Sequence, residues 1–243
     1  MKLNKILEIT GKIEIQSGLH IGGGDTEMHI GGTDNPVIKH PHTSDPYIPG
    51  SSLKGKIRSL LEWYIGLVEY NDGKPFGYRQ LDAVKKQQPE IHNNAINLVK
   101  LFGVSGGDVL DAQQAKEIGT TRIAFRDCMV DQEWAMNIKD QNLLLTETKF
   151  ENSINRISGT AENPRNTERV PAGAQFYFVV NLKQFSNDDE EAMIEMLLKG
   201  LKLLELDALG GAGSRGYGKI KFLLTDEKLQ EQLEKLDPFQ TAA

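Results

Sequence analysis

The residues able to do chemistry gather in a few glycine-rich stretches. The run Gly210-Gly211-Ala212-Gly213-Ser214-Arg215-Gly216-Tyr217-Gly218 holds five glycines in nine positions, more than a packed core needs. Glycine permits positive φ and lets a backbone approach another surface closely. Arg215 offers a planar fork for phosphate, and Tyr217 offers a ring on which a base could stack. The run contains a G-x-G-x-x-G at Gly211, Gly213 and Gly216. A dinucleotide site needs that pattern between a strand and a helix; here a helical pattern precedes it and a strand pattern follows. A second candidate, Gly50 to Ile57, matches G-x-x-x-x-G-K but puts Ile57 where Ser or Thr must reach a metal. An NTPase is therefore the runner-up enzyme class. His29, His40 and His42 lie near Asp34 without a metal-ligand spacing, and read as exposed loop histidines.

These stretches need elements to position them. Residues 7–16 alternate, with Leu7, Ile9, Gly11, Ile13 and Ile15 on one face, and predict a half-buried strand. Residues 22–50 have no period and are rich in Gly, Pro, His and Asp, the composition of a long functional loop. Ser51 or Ser52 then caps a helix whose apolar positions are Leu53, Ile57, Leu60, Leu61 and Tyr64. Lys54, Lys56 and Arg58 crowd its first turns, where cations oppose the helix dipole. They form either an anion site or a solvated face. Residues 70–93 read as irregular, Asn94–Phe102 as a short helix, and Gly103–Asp108 as a loop. Thr121–Cys128 and Gln175–Asn181 alternate as strands, with a long polar segment at 134–172 between them. Asn187 starts a helix with Glu190 in capping-box position and an apolar stripe from Met193 to Leu204. Lys219–Leu224 is the last strand. The fold class is α+β: a β-α-β-β-α-β order, the ferredoxin-like arrangement shared with RNA-recognition modules, carrying long insertions.

The net charge of −6 speaks against a nucleic-acid partner only if it is evenly spread. Residues 186–195 sum to −5 and residues 226–237 to −3, so the rest of the chain is +2. The single Cys128 reads as a small buried hydrophobe, pointing to a reducing cytoplasm. No apolar run reaches membrane-spanning length, and the first residues do not begin a signal peptide.

Several blocks together resemble one family: Gly18-Leu-His20-Ile-Gly-Gly-Gly24, Gly32-Thr-Asp34-Asn-Pro36-Val-Ile-Lys39, Tyr47 to Arg58, Glu151 to Ala161, Glu168 to Gly173, and the terminal glycine loop. In that order they resemble the repeated backbone subunit of type III-A CRISPR effector (Csm) complexes, of the RAMP superfamily. The resemblance implies a single RAMP domain with insertions at about 18–50 (catalytic loop), 70–118 (helical lid) and 134–172 (a thumb-like hairpin). It implies a protein that polymerises head to tail along a CRISPR RNA, with other type III-A subunits, and cuts the paired single-stranded target RNA once per subunit. Asp34 falls on the cleavage aspartate. The implied RNA-binding set is His20, Ser51, Ser52, Lys54, Arg58, Arg126, Arg156, Arg169, Gly211, Gly213 and Arg215. The implied chemistry uses the RNA's own 2′-OH, so the protein needs only a group to move a proton, hold a divalent metal (magnesium) or clamp geometry. Two readings remain open: a guided ribonuclease subunit, or an RNA-binding scaffold that does not cut. Asp34 favours the first.

Overall fold

The computed structural model describes residues 2–23, 34–104 and 110–240. His29, the glycines at 24, 31 and 32, and most of the 103–108 loop lie outside the described residues. In chain order the elements are β1 (Leu3–Ile15), β2 (Tyr47–Ile48), α1 (Gly50–Ile65), α2 (Leu81–Gln87), α3 (His92–Phe102), α4 (Ala112–Ile118), β3 (Ile123–Phe125), β4 (Cys128–Met129), α5 (Gln132–Asp140), β5 (Glu147–Ile154), β6 (Ala161–Arg169), β7 (Gln175–Phe185), α6 (Glu190–Leu206), β8 (Ile220–Leu224) and α7 (Glu227–Lys235). The class is α+β, as the alternating and helical patterns require.

The main sheet has the order β3-β7-β1-β8, and every neighbouring pair is antiparallel. Ile9, Ile13 and Ile15 of β1, Phe176, Phe178 and Val180 of β7, and Phe222 of β8 are buried in the core that α1 and α6 also line. Phe178 packs edge-on against Phe222 at 5.1 Å between centroids. Strand β1 pairs with β7 along nearly its whole length, which is why it starts at Leu3, before the alternating pattern does. Strand β7 likewise runs on to Phe185.

Several boundaries differ from the sequence expectation. Neither Ser51 nor Ser52 caps α1. Pro49 is the N-cap, without a side-chain bond, and the Gly50 amide donates to Asp127 Oδ1 at 2.8 Å. Helix α6 is capped by Asp189, whose side chain accepts from the Ala192 amide, and not by Asn187. Residues 70–93 contain α2 and short 3₁₀ turns. The expected strand at 121–128 divides: β3 joins the main sheet, while β4 pairs with β2. The 134–172 segment folds as most of α5 followed by the β5–β6 hairpin.

Two close contacts shape the core. Arg122 is fully buried; its guanidinium grips Asp188 at 2.9 and 3.0 Å and donates to the carbonyls of Ile118 and Thr120. It thereby ties the end of α4 to the β7–α6 turn. Gly200 of α6 faces α1, where an added Cβ would lie 2.6 Å from Ile57 Cγ2 and 3.0 Å from Leu61 Cδ1. Gly55 of α1, by contrast, has nothing within 4 Å of its Cβ position. Gly200→Val should therefore destabilise by about 1–3 kcal/mol through overpacking. Gly55→Ala should stabilise by about 0.5–1 kcal/mol through lower unfolded-state entropy. Urea unfolding of the two variants checks both signs.

Candidate nucleic-acid interface

Four separate parts of the chain meet where β6 leaves its hairpin. The 18–22 segment after β1 bridges to Val170 through Leu19 and to Val37 through Gly22. The Asp34 segment lies along β6: Asn35 bridges to Thr167, and the Glu168 amide donates to the Asn35 carbonyl at 3.0 Å. The glycine loop docks on the 18–22 segment, with the Gly211 amide on the His20 carbonyl (2.9 Å) and the Gly218 amide on the Gly18 carbonyl (3.0 Å).

Glycine is required at one of these contacts, and it makes room for a long side chain at another. Gly210 has φ 76°, and a Cβ there would fall 2.3 Å from the His20 carbonyl oxygen. At Gly18 a Cβ would strike the Arg169 side chain at 2.4 Å. The loop itself makes one 3₁₀ turn, Gly213–Arg215, between α6 and β8, so no helix opens at its G-x-G-x-x-G.

Glu168 holds the arrangement together. It is buried, at 7% exposure. Its carboxylate accepts from the Val37 amide (3.0 Å), Lys39 Nζ (2.6 Å) and Thr146 Oγ1 (2.6 Å). Its carbonyl accepts a hydrogen bond from His20 Nδ1 at 2.7 Å, which fixes the ring's orientation and leaves Nε2 outside this contact. Burial alone would raise the Glu168 pKa; Lys39, Thr146 and the Val37 amide outweigh it and hold the carboxyl below its ordinary range. Two residues upstream, Asn166 clasps Asp34: the Asp34 amide donates to Asn166 Oδ1 (2.6 Å), and the Asn166 amide donates to Asp34 Oδ2 (3.1 Å). Asp34 itself is exposed, so its carboxylate is anchored and open to a ligand.

A basic cluster adjoins this point. Lys149, Arg165 and Arg215 surround Glu151 at 3.4, 3.5 and 3.7 Å, while Arg169 pairs with Glu147 at 2.7 Å. Four cations against two carboxylates leave a surplus of +2. Tyr217 is not the stacking platform its loop position suggests. It is 1% exposed, its ring lies under Lys149 and Arg169, and its hydroxyl donates to Glu151 at 3.2 Å. Burial and Glu151 push its pKa up.

His20, Asp34, Arg169, Gly211, Gly213 and Arg215 therefore come together. Ser51, Ser52 and Lys54 form a second group at the start of α1, which rests on the backbone of Phe125 and Arg126. Lys54 is half-buried, and burial followed by the neighbouring Arg58 lowers its pKa. Arg126 is exposed beside Asn181, and Arg156 is exposed on the hairpin turn. Arg58 departs from expectation. Its Nε pairs with Glu62 at 2.7 Å, and its Nη atoms donate to the Gly103 and Phe76 carbonyls. It staples α1 to the insertion, with each of its three nitrogens bonded within the chain. Lys56 pairs with Asp207 at 2.7 Å. Cys128 is buried, as expected, with its thiol pushed up to about 12 by desolvation. Asn166 lies outside the resemblance blocks, and Glu168, which opens one of them, gives no local sign of its partners.

A family model described as the RAMP superfamily matches residues 12–221. A protein named CRISPR system Cms endoribonuclease Csm3, from Methanothermobacter thermautotrophicus, is 38% identical over 235 residues, covering 91% of this chain and 85% of that protein. Its namesake from Methanocaldococcus jannaschii is 42% identical over 224 residues, covering 91% and 79%. The chain belongs to the Csm3 family of RAMP proteins. The Csm3 crystal structure from Methanopyrus kandleri matches with a TM-score of 0.60 and 25% identity, over 92% of this chain and 76% of that one. A chain of a Csm3–Csm4 subcomplex of the type III-A interference complex matches with a TM-score of 0.53 and 26% identity, over 98% and 99%.

The lowered pKa of Glu168 has a sign. Its stabilising contribution is present above the ordinary glutamate pKa and is lost as pH falls through the depressed value. Glu168→Gln should destabilise by about 1.5–3 kcal/mol at neutral pH, the size of charged hydrogen bonds lost. The gap between wild type and variant should close at acid pH. Thermal melts across pH check this, and a gap that widens in acid would contradict the assignment.

Proposed function

We propose that this chain is the repeating backbone subunit of a type III-A CRISPR interference complex, which binds CRISPR RNA and cuts guide-paired target RNA. The observation that carries the proposal is Asp34: an exposed carboxylate fastened by Asn166 to the strand that leads into a basic cluster. The family setting supports it, since its relatives are named endoribonucleases. The strand order β3-β7-β1-β8, with α1 and α6 as its crossover helices, supports reading the core as ferredoxin-like. We read the insertions at 18–50, 70–118 and 134–172 as catalytic loop, lid and thumb of a single RAMP domain.

The guide surface in this reading comprises His20, Ser51, Ser52, Lys54, Arg126, Arg156, Arg169, Gly211, Gly213 and Arg215, and omits Arg58, which is held by bonds from all three guanidinium nitrogens. Its cations contact phosphate and not base edges, because a backbone subunit accepts any guide sequence. Copies join head to tail along the guide, with other type III-A subunits at the ends. No described helix is long and apolar enough to cross a membrane, and the proposed location is the cytoplasm.

The reaction is an attack by a target 2′-oxygen on its own 3′-phosphorus. The P–O5′ bond breaks, and the proton of the 2′-OH passes to a base while the 5′-oxygen gains one. Asp34 is the group positioned to take that proton or to orient the backbone. The described residues form no cluster of three or more acidic, His or Cys side chains. The donor set fits magnesium all the same, since that ion is often held by one carboxylate with substrate phosphates and waters. Asp34 would hold it, and it would supply charge neutralisation at the phosphate. The scaffold reading has less support, because Asp34 is present and open.

Asp34→Ala should leave folding and guide binding intact and slow target cleavage by about 10²–10⁴-fold. The assay is cleavage of a labelled target by the reconstituted complex. A wild-type rate would return the chain to the scaffold reading.

A further inference from the structure

The two acidic stretches that the RNA chemistry leaves unused converge on one groove. It lies between α6 and α7 beside the first half of β1, with a volume of about 840 Å³. Leu7, Ile194, Leu198, Leu229 and Leu236 line it with apolar surface. Glu190, Glu191, Glu195 and Asp226 stand around it with Lys5, Lys228 and Lys235, all exposed, so acids outnumber bases by one in the lining itself and the larger acidic excess lies in the stretches that frame it. Asp188 is spent on Arg122, so the α6 stretch keeps four acidic side chains, Asp189, Glu190, Glu191 and Glu195. The α7 stretch at 226–237 adds a net −3.

A second, independent feature borders the same groove. Strand β8 covers β1 only from Gly11 to Ile15, and the Thr225 amide then caps the pairing at the Thr10 carbonyl. From Leu3 to Ile9 the edge of β1 opposite β7 has no strand partner among the described residues. Leu3 and Ile6 on it are 45% and 52% exposed. An open apolar edge is a template for strand pairing unless a protein blunts it. The blunting here is slight: Lys5 reaches Glu190 at 3.8 Å, with both side chains more than half exposed. Such a pair contributes little.

We propose that this edge and groove form a docking site for an extended segment of a partner protein, one that presents apolar residues on one face and Lys or Arg around them. The segment adds as a strand beside Leu3–Ile9, its backbone bonding the free edge of β1. Its apolar side chains enter the groove, and its cations meet the carboxylates of α6 and α7. The acidic excess of the two stretches that frame the groove disfavours RNA, whose phosphates it repels. The site is therefore separate from the basic cluster, and it does not depend on the function of Asp34.

The test uses the full chain and a soluble peptide with valine at alternate positions of a short central run and lysines at both ends, followed by hydrogen-exchange mass spectrometry. Saturating peptide should slow amide exchange in residues 3–9 by about tenfold or more while leaving 34–39 unchanged, as a newly paired edge requires. A Glu191→Lys, Glu195→Lys double variant, altered only at exposed positions, should weaken the peptide by about tenfold, and added salt should weaken it further. A valine–glutamate peptide should not bind. The proposal is overturned if exchange in 3–9 does not respond, if the acidic peptide binds equally well, or if protection appears without peptide as the chain concentration rises. That last result would make the occupant a second copy of this chain.

Discussion

The site depends on one buried carboxylate. Glu168 could not be taken out of water uncompensated, because an unpaired buried charge costs several kcal/mol. It is compensated by an amide, an ammonium and a hydroxyl, and two of those three donors belong to the Asp34 segment. Satisfying Glu168 is thus the same event as fastening that segment to β6. The dependence then passes outward. The Glu168 carbonyl orients His20, the His20 carbonyl receives the Gly211 amide, and the glycine loop comes to rest beside the hairpin base.

The sheet makes this convergence possible. Strands β1 and β7 pair closely, so the 18–22 segment and the hairpin, which leave and enter at their ends, are forced into proximity. Gly210 permits a backbone approach that a side chain would block, and Gly18 leaves room for the Arg169 side chain. The cations gathered there do not sit free. Glu147 and Glu151 hold them in place, and the remaining positive surplus faces outward. A polyanion arriving there meets side chains that are already ordered, which lowers the entropic cost of binding.

Much of the scaffold was legible because it rests on local periodicity. The alternation of Ile9, Ile13 and Ile15 and the stripe from Met193 to Leu204 both describe buried faces correctly. Element order alone supplied the α+β class. The motif blocks pointed to the family, and with it to Asp34 and the glycine loop. What escaped was set by distant partners. Asn166 and Glu168 meet residues 129 to 132 positions away, and nothing in their own neighbourhood announces it. Arg58 looked like a phosphate ligand but was claimed by Glu62, Phe76 and Gly103. Tyr217 looked like an exposed ring but became the buried floor under two cations. The caps failed for the same reason: Asp127, far from α1 in sequence, serves the Gly50 amide that Ser51 and Ser52 were expected to serve by local rules.

The central claim is that the chain positions one carboxylate while the RNA supplies its own nucleophile. The ends of the cleaved target test this most directly. Mass spectrometry of products from the reconstituted complex should find a 2′,3′-cyclic phosphate on the upstream fragment and a 5′-hydroxyl on the downstream one. A 3′-hydroxyl facing a 5′-phosphate would show that water attacked in place of the ribose, and would contradict the account.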